Sequence, residues 1–306
     1  MSHFGPDEAI ARIDDWKGHD VRYEELGGGI TNHNYIVWVD GGPPQGRKYV
    51  LRVPGTGTDM FIDRNVERYN MIEVAKTGVG PAVAHQIDPE GGLVIDFVEG
   101  EVMHPETIAG HPERLKQVVE TVKVFHDGAT FQHQIKIFDM LRHYTKIAAD
   151  IDAPMPPELA SLLKEMDVIE KATSVRPPKD VACHNDLLSE NFIVDAGNRM
   201  WIIDWEYGGQ TDPFFDLGDF VMEHPFTRAE ERSIIETYCG TMDEGRFGRM
   251  MLYKCVSGVW WGVWAMIQKT VSHIDFDYMD WGMDRIVNRS QKTVDDPDYQ
   301  KWLDEC

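Results

Sequence analysis

Through the first hundred residues, apolar positions recur every second residue in short runs separated by glycine and proline. YEELGGGITNHNYIVWVD (23–40) reads as a strand, a glycine turn and a second strand, with Tyr35, Val37 and Val39 on one face. GGPPQG (41–46) has turn chemistry. KYVLRVPG (48–55) is the next strand, ended by Pro54 and Gly55. Together these predict an antiparallel meander. A helix follows from about Asp63 to Lys76, closed by Gly78. PAVAHQID and GLVIDFV are two further short strands, joined by the turn PEGG.

After Gly100 the period changes to that of helices. Segments near 105–127, 134–150, 157–172, 228–239, 243–271 and 275–291 carry apolar residues at i, i+3 and i+4. Between about 180 and 205 two short apolar runs, NFIV and MWIID, flank the turn DAGN and predict a hairpin. These patterns place a domain boundary near 97–103. The prediction is an α+β chain, with residues 1–98 forming a small antiparallel sheet with one helix and 99–306 a larger, mainly helical domain.

The chain has 306 residues, 42% of them hydrophobic, including 13 Phe, 9 Trp and 10 Tyr, which is ample for a folded core. Its net charge of −22 makes it a poor partner for nucleic-acid backbone or anionic membrane, but suits a small cation. The uncharged stretch Cys255–Gln268, bounded by Lys254 and Lys269, is shorter than the roughly 20 residues a bilayer requires. MSHFGPDEAIARIDDW is acidic and amphipathic, unlike a signal peptide. The four cysteines have no CxxC spacing, which fits a reducing, cytoplasmic setting.

The chemistry concentrates in His184-Asn185-Asp186, Asn191 and Asp204. The predicted hairpin brings Asn191 and Asp204 side by side, as two oxygen ligands suited to Mg²⁺, with Asp186 in front of them. Phosphoryl transfer needs such a set: a carboxylate to accept the hydroxyl proton, and an Asn and an Asp to hold metal at the nucleotide phosphates. Taken singly, each residue reads as an ordinary loop or turn cap.

HNDLLSEN followed by IIDWEYGGQTDPFFDLGDF resembles the signature of the choline/ethanolamine kinase family, a relative of the aminoglycoside phosphotransferases with a protein-kinase-like bilobal fold. GGGITNHNYIV, YVLRVPG, FIDRNVERYN, WWGVWAMIQ and FDYMDWGMDR extend the resemblance over nearly the whole chain. The resemblance implies an ATP- and Mg²⁺-dependent kinase for the hydroxyl of a small amino alcohol. Asp186, Asn191, Asp204, Arg52 and Glu67 would form the catalytic set, with Asn191 and Asp204 on the metal. Gly28, Gly29, Thr31 and Asn32 would fold over the phosphates, although no Walker A sequence is present. Arg52 would take the place of the kinase strand lysine, with Glu67 as its pair. Phe97 and Val98 lie in the implied hinge, where backbone groups would meet adenine. Val50 and Ile203 would wall the adenine slot, and Asp216 would brace the catalytic loop.

The resemblance also implies a substrate pocket of Asp186, Glu223, Trp261, Trp264, Phe276, Tyr278 and Trp281, an aromatic cage for a cationic head. Aromatics at helical spacing are more often core, and Trp260 beside Trp261 cannot face the same pocket. Aromatic richness tilts the expectation towards choline. Ethanolamine, an aminoglycoside, another small alcohol, or a catalytically silent ATP-binding module stay open. A protein kinase is disfavoured, because DWEY stands in place of DFG and no APE segment follows. The sequence fixes no oligomeric state; family members often form dimers.

Overall fold

The computed structural model describes residues 4–27, 32–40, 48–55, 62–272 and 274–306. The chain divides into two compact units. The first comprises 1–101 and 193–206, the second 102–192 and 207–306. The stretch 193–206, which the sequence pattern counted with the larger domain, therefore clusters with the smaller unit.

The first unit opens with helix α1 (Pro6–Ala11) and strand β1 (Asp20–Leu26). It continues through β2 (Asn32–Asp40), β3 (Lys48–Pro54), helix α2 (Arg64–Thr77), β4 (Val83–Ile87) and β5 (Gly92–Asp96). The five strands form one antiparallel sheet in the order β1-β2-β3-β5-β4. The period of two along β3 sorts its side chains. Tyr49, Leu51 and Val53 are buried with Ala9, Ile13 and Trp16, while Val50 and Arg52 point to the opposite face. The Asp63 side chain caps α2 by accepting the amides of Asn65 and Val66, and Gly78, at φ 83°, closes it. This cap puts Glu67 in the first turn of α2, where its side chain is buried.

The chain enters the second unit through β6 (Glu101–Val102), α3 (Pro105–Ile108), α4 (Pro112–Gly128), α5 (Ile137–Asp150), α6 (Pro157–Thr173) and β7 (Val181–Cys183). The continuous helix expected over 105–127 is broken in two. Ala109 is extended and Gly110, at φ 79°, turns the chain before Pro112 restarts it. The chain returns to the first unit within β8 (Phe192–Val194), turns at Asp195–Arg199 and runs along β9 (Met200–Ile202). The second unit resumes at β10 (Gly209–Thr211), which pairs with β7. Helices α7 (Pro213–Glu223), α8 (Arg228–Cys239), α9 (Glu244–Val271) and α10 (Tyr278–Met283) follow. A π-helical stretch (Asp284–Gln291), α11 (Lys292–Val294) and α12 (Tyr299–Glu305) end the chain.

Helix α9 is the axis of the second unit, buried almost continuously from Phe247 to Gln268. Helix α7 lies against it at close range, because a Cβ on Gly218 would meet the backbone of Tyr253 and Lys254 at 2.7 Å. Every α7 residue from Pro213 to Met222 is buried. Among the described residues, no helix is long and apolar enough to cross a membrane.

Candidate active site

In the first unit, Arg52 is 7% exposed and surrounded by acids. It lies 2.9 Å from Glu67, 2.9 Å from Asp204 and 3.2 Å from Glu206. Arg64 adds a second cation, 2.8 Å from Glu67 and 3.4 Å from Glu206. Asn32 donates to Glu206 at 2.7 Å. Burial works against the Arg52 charge, but Asp204, Glu67 and Glu206 outweigh it and hold the guanidinium firmly protonated. Burial, and next the charge of Asp204, push the Glu206 carboxyl up to about 7. Asp204 stands apart from its partners in being about one-third exposed, with its backbone in the left-handed region at φ 68°. A non-glycine residue held there is the kind of local strain that collects at functional sites.

Arg52, Glu67, Asp204 and Asn32 are thus brought together, with Asn32 bound to Glu206. Sequence reasoning did not single out Glu206 or Arg64, although Glu206 lies two residues after Asp204. Gly28, Gly29 and Thr31 lie outside the described residues.

A cavity of about 590 Å³ in the same unit is lined by Phe97 and Val98, with Asp96, Lys48, Arg199 and Trp201 among the other walls. The Phe97 amide donates to the Lys48 carbonyl at 3.1 Å. That donor extends the sheet beyond Asp96. Val50 and Ile203 are half-buried in this unit and do not line the cavity.

In the second unit, helix α7 holds the loop that carries Asp186. Asp216 is fully buried. It accepts the amides of His184 at 2.7 Å and Asn185 at 2.6 Å, and lies 3.0 Å from His126 Nε2. One turn further on, Asp219 accepts the Leu187 amide at 2.6 Å. His184 Nδ1 accepts the Asp186 amide at 3.2 Å. Asn185 holds the left-handed conformation at φ 67°, and its side chain donates to the Tyr207 carbonyl at 2.9 Å. Asn191 Nδ2 donates to the Asp186 carbonyl at 2.8 Å, which orients the amide and makes Oδ1 its ligand-competent atom.

His126, Cys183 and Asp216 also group closely enough to suggest a metal site. Their chemistry opposes it. Asp216 is committed to the loop amides, and burial raises the Cys183 thiol well above its ordinary range while the thiol donates to Thr211 and Asp212 carbonyls.

The aromatic residues expected on α9 and α10 form one cluster. Trp261 meets Tyr207 at 5.0 Å, Trp264 at 5.5 Å and Trp281 at 6.4 Å between ring centroids. Trp264 also meets Tyr278 and Trp281, each at 5.9 Å, and Phe276 closes the edge against Tyr278 at 4.9 Å. Phe276 is the exposed member. Trp260 points into the core, against Tyr144 and Phe215. The Trp261 indole donates to Asp219 at 2.9 Å, and Ser257 donates to the same oxygen. Burial, and next the charge of Glu223, push the Asp219 carboxyl up to about 8.

Glu223, expected as an acidic position of the substrate pocket, is paired within the protein. Both of its oxygens are taken by Arg285, at 3.0 and 2.5 Å. Asp219 and Arg285 were missed by sequence reasoning. The i, i+3 spacing of Asp216 and Asp219 was a usable signal for the first, whereas no local spacing links Glu223 to a residue 62 positions away.

Compared with known proteins, residues 23–240 match the sequence model of a family described as choline/ethanolamine kinase. Ethanolamine kinase 2 of Mus musculus is 26% identical over 297 residues, covering 88% of this chain and 76% of its own. Probable choline kinase 2 of Arabidopsis thaliana is 26% identical over 295 residues, covering 85% and 82%. The crystal structure of a choline/ethanolamine kinase family protein from Mesorhizobium loti superposes with a TM-score of 0.82 at 29% identity, covering 98% of each chain.

Proposed function

The chain belongs to the choline/ethanolamine kinase family and is a phosphotransferase with an alcohol acceptor, and on that premise we propose that it transfers the γ-phosphoryl group of ATP to the hydroxyl of choline. The observation that carries the choline assignment is the cluster of Trp261, Trp264, Tyr278 and Trp281 on α9 and α10. A quaternary ammonium has no N–H to satisfy and is held by aromatic faces, whereas a primary ammonium seeks hydrogen-bond acceptors.

Asp186 accepts the hydroxyl proton as the oxygen–phosphorus bond forms and ADP leaves. The Asp216 and Asp219 carboxylates fix the loop on either side of it by holding the amides of residues 184, 185 and 187. Asp204 and Asn191 Oδ1 are hard oxygen donors of the kind Mg²⁺ takes, and the exposure of Asp204 and the fixed Asn191 amide fit that role. A bound divalent cation would screen phosphate charge. Arg52, pre-oriented by Glu67, neutralises further phosphate charge. Positioning and charge neutralisation supply most of the rate.

ADP release with ATP and Mg²⁺ tests this against choline, methylated ethanolamines, ethanolamine and an aminoglycoside. The proposal requires metal-dependent release with choline at the highest kcat/KM. A higher value with any other acceptor contradicts it.

A further inference from the structure

The aromatic cluster already contains a cation belonging to the protein. The Arg285 guanidinium carbon lies 3.2 Å from the centroid of the Trp281 ring, so one face of that ring is covered. The same guanidinium grips Glu223 through Nε and Nη2, and Nη1 donates to the Trp281 carbonyl at 3.3 Å. The pair is closed to solvent, with the side chains 7% and 8% exposed. Gly258 lets this element press against α9, since a Cβ there would meet the Arg285 carbonyl at 2.9 Å.

We propose that Arg285 is a positioning residue that sets acceptor preference: by occupying both oxygens of Glu223 and one face of Trp281, it withholds a free carboxylate from the substrate ammonium and so favours a quaternary over a primary head. This rests on the choline reading above and deepens it. The fork pairs the Glu223 charge and engages both of its oxygens, so a primary ammonium would have to share acceptors already bonded to a guanidinium. The neighbouring carboxylate offers no substitute, because Asp219 already accepts from Leu187, Ser257 and Trp261. A trimethylammonium group asks for none of these lone pairs. It needs the apolar aromatic faces that Trp261, Trp264 and Tyr278 supply. A site whose acceptors are spoken for discriminates against a ligand that must hydrogen-bond there.

The test measures dissociation constants for choline and ethanolamine by calorimetry on the full chain, which requires no turnover. A failure of the kinase reading would appear in the ADP-release panel instead. The proteins are wild type, Arg285→Gln, Arg285→Lys and the double variant Arg285→Gln/Glu223→Gln. Wild type should bind choline more tightly than ethanolamine. Arg285→Gln should lower that preference by about tenfold, because Glu223 becomes free to accept from a primary ammonium. Arg285→Lys should restore part of it, since a lysine re-pairs Glu223 without the fork or the flat contact with Trp281. The double variant, which also removes the buried unpaired charge that could hinder folding of the single one, should return to near the wild-type preference. A preference unchanged in Arg285→Gln, or a double variant as shifted as the single one, overturns the inference. If Arg285→Gln does not fold, a double variant and an Arg285→Lys protein that both differ from wild type by more than about tenfold overturn it as well.

Discussion

The indole N–H of Trp261 donates to Asp219 at 2.9 Å, and the other oxygen of that carboxylate accepts the Leu187 amide at 2.6 Å. One buried side chain on α7 therefore joins the aromatic cluster to the loop carrying Asp186. Asp219→Ala would strand three buried donors, those of Leu187, Ser257 and Trp261, at about 1–3 kcal/mol each. The expected loss of stability is at least about 3 kcal/mol by urea denaturation. Asp219→Asn, which keeps an acceptor, should lose clearly less. Equal losses in the two variants would mean the carboxylate is not the common anchor.

The same residue gives a pH dependence. Burial, then the charge of Glu223, raise the Asp219 carboxyl to about 8, so the folded chain keeps this proton longer than the unfolded one. Its contribution to stability is complete below its ordinary value near 3.8 and is lost as pH climbs through about 8. The wild-type Tm should accordingly fall more steeply than that of Asp219→Asn between about pH 5 and about pH 8. Parallel Tm profiles would remove Asp219 as a source of the slope.

Arg52 is the chief counter-ion of a buried acidic cluster. Arg52→Ala leaves Glu67 and Glu206 with Arg64 as their ion-pair partner among the described residues, and breaking a buried pair costs roughly 3–5 kcal/mol. We expect a destabilisation of about 3 kcal/mol, partly relieved at low pH where Glu206, raised to about 7, takes up a proton. Arg52→Lys should recover most of that stability. It should still lose at least about tenfold in kcat/KM, because an ammonium lacks the fork that reaches several partners at once. Wild-type kcat/KM in Arg52→Lys would argue against phosphate contact by this residue.

Asp186→Ala should lower turnover by about 10²–10⁴-fold, the usual reach of a positioned proton acceptor, while ATP affinity stays within a few-fold of wild type. Single-turnover kinetics and nucleotide titration read the two quantities separately. Unchanged turnover would remove Asp186 from the mechanism.

Several elements were legible in the sequence because their cause is local. The alternation along 48–54, the capping residue Asp63 and the stop at Gly78 each mark a feature found in the structure. Helix α7 was missed because it is buried on every side, and an element without a polar face has no helical period to detect. The interruption at Ala109-Gly110 was hidden inside an apolar pattern that continues across it. In the site, residues close to a motif were easier to find than their partners. Asp204 stood out by its place at a strand end and Glu67 through the family resemblance, while Glu206, Asp219 and Arg285 act through contacts across 32 to 154 residues of chain, which the sequence does not display. Glu223 was singled out as an acid, but its charge is already neutralised by Arg285, a fact of tertiary structure alone.

The most direct test follows the phosphoryl group itself. Phosphorus NMR of purified protein with ATP, Mg²⁺ and choline should show phosphocholine appearing in step with ADP, and neither signal changing when the metal is chelated. ADP accumulating with inorganic phosphate, or no consumption of ATP while ATP still binds, would contradict the account.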